Sequence, residues 1–233
     1  IKSEVDPVSK SVTDLRRETD AAFARNDPRA GMILLGQIVT VAPNDSANWL
    51  RLARSILQIR SSDERERTRL LDRAGTAAYL AYQRTTNRNE EAESLVLLGR
   101  TLADRRQWRP ALDVLRLALE LREVADVRGL YERLREDHGF RMLDYTVDAD
   151  AASPRACFQF SEELPGRRTD FSPFVAVAGI DKPALSADEK QLCVEGLKHG
   201  ERYSVTLRAG LPSVVRETLP KSSNLTVYVR DRK

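Results

Sequence analysis

With 233 residues, 31% of them charged, and a mean hydropathy of −0.46, the chain has room for one large or two modest domains, each burying its own core. No window approaches the roughly 18 uninterrupted apolar residues that a membrane span requires. The isoelectric point near 9.0 suggests nucleic acid, but the net charge is only +3, and charges alternate in runs such as DERERTR (63–69), a solvated helix face rather than the concentrated positive patch that phosphates require; a nucleic-acid partner is therefore not expected.

The chain opens on Ile1 rather than Met, which reads as the loss of an upstream piece, and no signal peptide is visible. From about Ser9 to Asp137 apolar residues recur at helical spacing, and glycine and proline are sparse. Gly31, Leu35 and Ile38 fit the second helix of a first, degenerate hairpin, closed by the Pro43-Asn44-Asp45 turn. Trp49, Leu52, Ala53 and Ile56 open the next unit. There SSDERERTRLLDRA inserts roughly two extra helical turns before a second helix expected at 74–85.

The best-defined unit is AESLVLLGRTLADRRQWRPALDVLRLALEL (92–121). Leu95, Leu98, Gly99 and Leu102 share a face of its first helix, Arg106-Gln107 supplies the turn, and Trp108, Ala111, Leu115 and Ala118 mark the second helix. The small residues Gly99, Ala111 and Ala118 let the helices approach, while Trp108 and the leucines fill the space between them. This pattern resembles the tetratricopeptide repeat. It implies two to three irregular stacked hairpins over residues 1–138, about the number that makes a continuous core. Trp49 and Trp108 are expected in that core, so any peptide binding would fall to other residues lining the groove of the stack. Arginine outnumbers lysine 22 to 2 over residues 1–140. That bias suits bidentate carboxylate pairing, and equally fits a base-composition bias in the genome.

The pattern changes at about His138-Gly139. RMLDYTVDAD, ACFQFSEEL, FVAVAG, KQLCVEGL, RYSVTLRAG and NLTVYVRDR are short period-two runs between Pro-, Gly- and Asp-containing turns, which predicts a β-sandwich over 139–233. Leu197, Gly200 and Tyr203 reproduce the Leu-x-x-Gly-x-x-Tyr spacing of a tyrosine corner, in which a tyrosine at a strand start bonds backbone in the preceding loop. Val205 and Leu207 then follow on one face of the strand, with Thr206 and Arg208 on the other. Cys157 sits on an early strand and Cys193 on the strand before the corner. Two cysteines permit one disulfide, feasible if those strands are neighbours; the alternative is two buried free thiols. In antibody domains the second cysteine follows the corner tyrosine by two residues, a place held here by Val205, so this pair is not the antibody bridge.

The two histidines, His138 and His199, have no cysteine, histidine or aspartate partner at ligand spacing, so no metal is expected. No Gly-x-Ser-x-Gly elbow, P-loop or dinucleotide fingerprint appears, and carboxylates lie on helix faces rather than paired at strand ends. Neither an enzyme nor a cofactor is expected. The sequons at Asn44 and Asn224 matter only in a eukaryotic secretory pathway.

RMLDYTVDADAASPRACFQFSEELPGRRTDFSPFVAV with KQLCVEGLKHGERYSVTLRAGLPS is similar to the first macroglobulin-type domain of bacterial α2-macroglobulin-like proteins. The resemblance covers about residues 140–233. It is carried by Phe158 and Phe160 after Cys157, by the Leu197–Gly200–Tyr203 corner, and by the Arg208-Ala209-Gly210-Leu211-Pro212 ending. A repeat-like helical region ahead of that domain fits large members of the family. The resemblance implies a very large secreted or periplasmic protein that traps proteases after bait cleavage, with the bait downstream. Some members carry a Cys-Gly-Glu-Gln thioester; neither Cys157 nor Cys193 is followed by Gly-Glu-Gln, so no thioester residue carries over. On this reading the chain is a non-catalytic N-terminal scaffold fragment. Its partners are downstream domains of the same chain, an envelope protein on the repeats, and proteases for the full-length protein only. The alternatives are an independent periplasmic adaptor for protein–protein interaction, and repeats that only cap the first β-domain.

Overall fold

The computed structural model describes residues 10–151, 153–166 and 168–231, which divide into a helical unit ending at Asp137 and a β unit beginning at His138. The helical unit runs α1 (Val12–Ala24), α2 (Pro28–Val41), α3 (Ser46–Gln58), α4 (Glu64–Arg84), α5 (Arg88–Asp104), α6 (Trp108–Leu121) and α7 (Ala125–His138). Ser9, where helical periodicity begins, lies outside the described residues. Most helix starts are written locally. The side chains of Ser11, Asp27, Asp45, Asp63 and Asn87 each accept a backbone N–H of the first turn, and Pro28 occupies the first turn of α2, where no N–H is needed.

Helices α1/α2, α3/α4 and α5/α6 form three hairpins. The first and third close identically: Asn26 and Arg106 take left-handed backbone at φ 55° and 58°. The N–H of Asp27 then donates to Ala22 O at 3.0 Å and that of Gln107 to Leu102 O at 2.9 Å. Between α3 and α4 the core sets Trp49, Leu52, Ala53 and Ile56 against a run of small residues, Ala74, Ala77, Ala78 and Ala81, so the two helices pack closely. Val127 and Tyr131 of α7 join Leu112, Leu115 and Leu119 of α6 in a separate cluster.

Two expectations for this unit are corrected. The extra helical turns expected before 74 are present, but they belong to the second helix, which starts ten residues earlier than expected: α4 is one 21-residue helix starting at Glu64. Its first turns carry Arg and Glu on almost every face and so show no apolar period, although Asp63 caps them and Glu64 and Glu66 complement the helix dipole. Glu66 is further tied to Arg29 of α2 at 2.7 Å and to the Ser61 hydroxyl. Trp108, expected in the core, begins α6 and is only half-buried. Trp49 is in the core, 6% exposed, with its indole N–H donating to Pro43 O at 2.7 Å.

The β unit contains β1 (Met142–Asp148), β2 (Arg155–Phe160), β3 (Val175–Val177), β4 (Ala184–Asp188), β5 (Gln191–Glu195), β6 (Arg202–Leu207) and β7 (Ser223–Tyr228). They form two antiparallel sheets, β1-β2-β5-β4 and β3-β6-β7. This is the four-plus-three strand order of a constant-type immunoglobulin sandwich. Alternating residues of both sheets meet between them: Phe158, Phe160, Leu192 and Val194 from one, Val205, Leu207 and Val227 from the other. Phe140 stacks on Phe160 at 5.3 Å. Strand β4 was not anticipated, because ALSAD contains no β-branched or aromatic residue; it is held as an edge by its register with β5. No helix among the described residues is long and apolar enough to cross a membrane.

Candidate functional site

In the β unit the singled-out residues come together as architecture. Cys157 and Cys193 face each other in register on the neighbouring strands β2 and β5, with Cα atoms 4.0 Å apart and a disulfide between them. The bridge therefore lies within one sheet. Spanning 36 residues, it stabilises by roughly 3–4 kcal/mol on the chain-entropy account. At the start of β6, the Tyr203 hydroxyl accepts the N–H of Lys198 at 3.0 Å. Leu197 is buried in the sandwich core, and its N–H donates to Pro154 O at 2.9 Å. Gly200 has φ +78°, a left-handed backbone that favours glycine, and a Cβ there would push aside the exposed Asp231 carboxylate. His199 Nδ1 lies 3.1 Å from Arg230 O in the same turn. Among the described residues no three histidine, cysteine, aspartate or glutamate side chains are grouped so as to hold a metal ion.

In the helical unit Leu52, Ala53, Leu95, Ala111 and Ala118 are buried between helices, and Leu98 is half-buried against the α3/α4 core. A Cβ on Gly99 would come within 2.7 Å of Leu115, so the α5/α6 approach depends on its absence. These inward residues leave the outer faces of the odd-numbered helices open to other roles.

That odd-helix surface is knitted by ion pairs of the kind the arginine bias suits, although their partners were not legible in the sequence. Arg16 of α1 bonds Asp45 at 3.0 Å, Arg51 of α3 bonds Asp20 of α1 at 2.7 Å, and Arg54 of α3 grips Glu93 of α5 with two bonds of 2.7 and 2.5 Å. Arg51 also stacks 5.7 Å over the Phe23 ring. Clefts open along this unit at three places among the described residues. One of about 370 Å³ lies between α1 and α3, by Phe23, Arg51 and Arg54. A second, of about 700 Å³, lies beside the α4 extension, with Leu57, Leu70 and Leu71 as apolar wall and Arg60, Arg67 and Asp104 at the rim. The third, about 620 Å³, lies between α5 and α7 and is lined by Arg100, Asp104, Asp126, Leu130 and Arg133. Asp104 borders both of the larger clefts; partial burial raises its carboxyl above the ordinary range, opposed by the nearby Arg100 charge. Charged rims around apolar walls suit recognition of another polypeptide chain.

No family model matches the chain, and no curated protein does. Among solved structures it is similar to the TPR domain of Arabidopsis OM64 (13% identity, covering 54% of this chain and 95% of that one, TM-score 0.44). It is also similar to native alpha-2-macroglobulin from Escherichia coli spanning domains MG0-NIE-MG1 (22% identity, 40% of this chain and 32% of that one, TM-score 0.35). An alpha-2-macroglobulin from Salmonella matches at 22% identity over 42% of this chain and 7% of its own, with a TM-score of 0.36. The chain thus spans about a third of the Escherichia coli structure and under a tenth of the Salmonella one. Each is a partial likeness of fold.

Proposed function

We propose that this chain is a non-catalytic docking scaffold from the N-terminal region of a bacterial α2-macroglobulin-like endopeptidase inhibitor. Its working parts are a helical-repeat domain over 1–138 and a macroglobulin-type sandwich over 139–233. The observation that carries this reading is the sandwich itself. The Phe158/Phe160 strand, the same-sheet Cys157–Cys193 bridge and the Leu197–Gly200–Tyr203 corner occur together on a four-plus-three strand order, directly after a stack of helical hairpins. The disulfide supports an oxidising compartment, hence the periplasm or cell exterior. In this division of labour the helical stack recruits or positions a partner, the sandwich abuts further domains of the same polypeptide, and protease trapping is done elsewhere in it.

The test is to incubate the 233-residue chain with proteases of several classes and follow digestion of a protein substrate. No protection is expected; stoichiometric inhibition would overturn the division of labour. An independent periplasmic adaptor is the second reading, favoured by the open clefts of the helical unit. Reading the gene past residue 233 separates the two: a series of further β-domains supports the inhibitor, and an early stop codon supports the adaptor.

A further inference from the structure

We propose that the two large clefts bordering Asp104 form one receptor site for an acidic, leucine-bearing segment of a partner protein. The inference deepens the docking-scaffold reading and rests on it. Its starting point is which arginines of the helical unit have partners. Arg16, Arg51, Arg54 and Arg105 each hold a carboxylate on another helix or its cap, with contacts of 3.0 Å or less. Arg60, Arg100 and Arg133, which line the two clefts, make no ion pair among the described residues, and Arg67 stands 3.7 Å from Glu64.

Arg133 lies along the wall of the α5/α7 cleft, its Nη1 at contact distance, 3.5 Å, from where a Cβ of Gly129 would be. Arg67 already shares its charge with Glu64, so the clefts set Arg60, Arg100 and Arg133 against two carboxylates, Asp104 and Asp126. The surplus is positive, and the groups that carry it are planar forks suited to bidentate carboxylate binding. A purely acidic ligand would not use the apolar wall. Leu57 and Leu71 are half-buried on the α4 side, and the space there is large enough for an aliphatic side chain. Carboxylates flanking a leucine-sized residue satisfy both features, whereas a basic segment meets a surplus of like charge.

The test uses the full 233-residue chain and fluorescence anisotropy of a labelled glutamate–leucine peptide, its lysine–leucine counterpart, and a labelled single-stranded oligonucleotide. One variant combines Arg60→Glu, Arg100→Glu and Arg133→Glu. A second, Arg25→Glu with Arg65→Glu and Arg122→Glu, makes the same change in net charge away from the clefts. The acidic peptide should bind best, and the cleft variant should weaken it roughly tenfold or more, as three exposed charge contacts would, while the control loses about threefold or less. Equal losses in both variants would assign the binding to bulk charge and overturn the site. No binding of the acidic peptide, or preference for the lysine peptide or the oligonucleotide, would do the same. Arg133→Gln alone, at an exposed position, gives a second reading if the triple variant fails to fold. Failure of this site leaves the scaffold reading standing, because that depends on the protease panel and the gene beyond residue 233.

Discussion

Tyr203 shows how much one side chain contributes at a site that is architecture. Its ring fills the partly buried start of β6, and its hydroxyl holds the N–H of Lys198 at 3.0 Å. Lys198 is exposed, so water can replace that acceptor once it is gone. Tyr203→Phe should therefore cost about 0.5–1 kcal/mol, the net worth of a solvent-accessible hydrogen bond, rather than the larger penalty of a buried orphan. Urea denaturation followed by a β-unit signal measures it. An unchanged midpoint would remove the tyrosine corner as a stabilising device. Gly200, three residues earlier, is more demanding, since any side chain there meets the left-handed backbone that glycine alone adopts without strain.

At the scale of elements, legibility followed burial. The helices whose inner faces alternate large and small residues, α3, α5 and α6, were readable because Trp49, Leu52, Ala53 and Ile56 repeat the spacing of Leu95, Leu98, Gly99 and Leu102, and Ala111 and Ala118 mark α6. The first turns of α4 were legible only as a solvated helix face, because ERERTR carries no apolar period that joins it to the helix that follows. Strand β4 was hidden for a related reason: an edge strand takes its conformation from its neighbour, and ALSAD records little of that. What fixes the α4 extension is electrostatic. The Arg29 guanidinium, with the Ser61 hydroxyl, holds the Glu66 carboxyl down at about 2, below its ordinary 4.5. A depressed carboxylate contributes stability that is complete above its unfolded value and is lost as pH falls from 4.5 toward 2. The pair is exposed, so salt screens it. Hydrogen exchange over the first turns of α4 should accelerate on acidification through that window. Glu66→Gln should produce the faster exchange already at neutral pH and erase the acid dependence, with the global melt nearly unchanged. Slow exchange in the Gln variant would mean the Asp63 cap alone holds the overhang.

For the whole molecule, the proposed docking surface was the least legible part, since Arg60, Arg100 and Arg133 obey no spacing until helices from distant segments are brought side by side. The two units, by contrast, announced themselves by a change of period, and each buries its own core. If each unit unfolds on its own core, the disulfide's effect is local. Both tryptophans, Trp49 and Trp108, belong to the helical unit, while Cys157 and Cys193 belong to the sandwich. Replacing both cysteines by alanine frees the loop of 36 residues in the unfolded chain and should cost the β unit roughly 3–4 kcal/mol. For a domain of that size this is a fall in melting temperature of roughly 15 °C or more. Tryptophan emission and the helical circular-dichroism signal should keep their transitions, while calorimetry shows the sandwich transition moving down. If the tryptophan transition moves down with it by the same amount, the two units unfold as one and the helical stack cannot serve as a free-standing docking module. If only the sandwich moves, the helical unit keeps its clefts intact even where the bridge is reduced, and recruitment of a partner is separable from the oxidation state of the domain beside it.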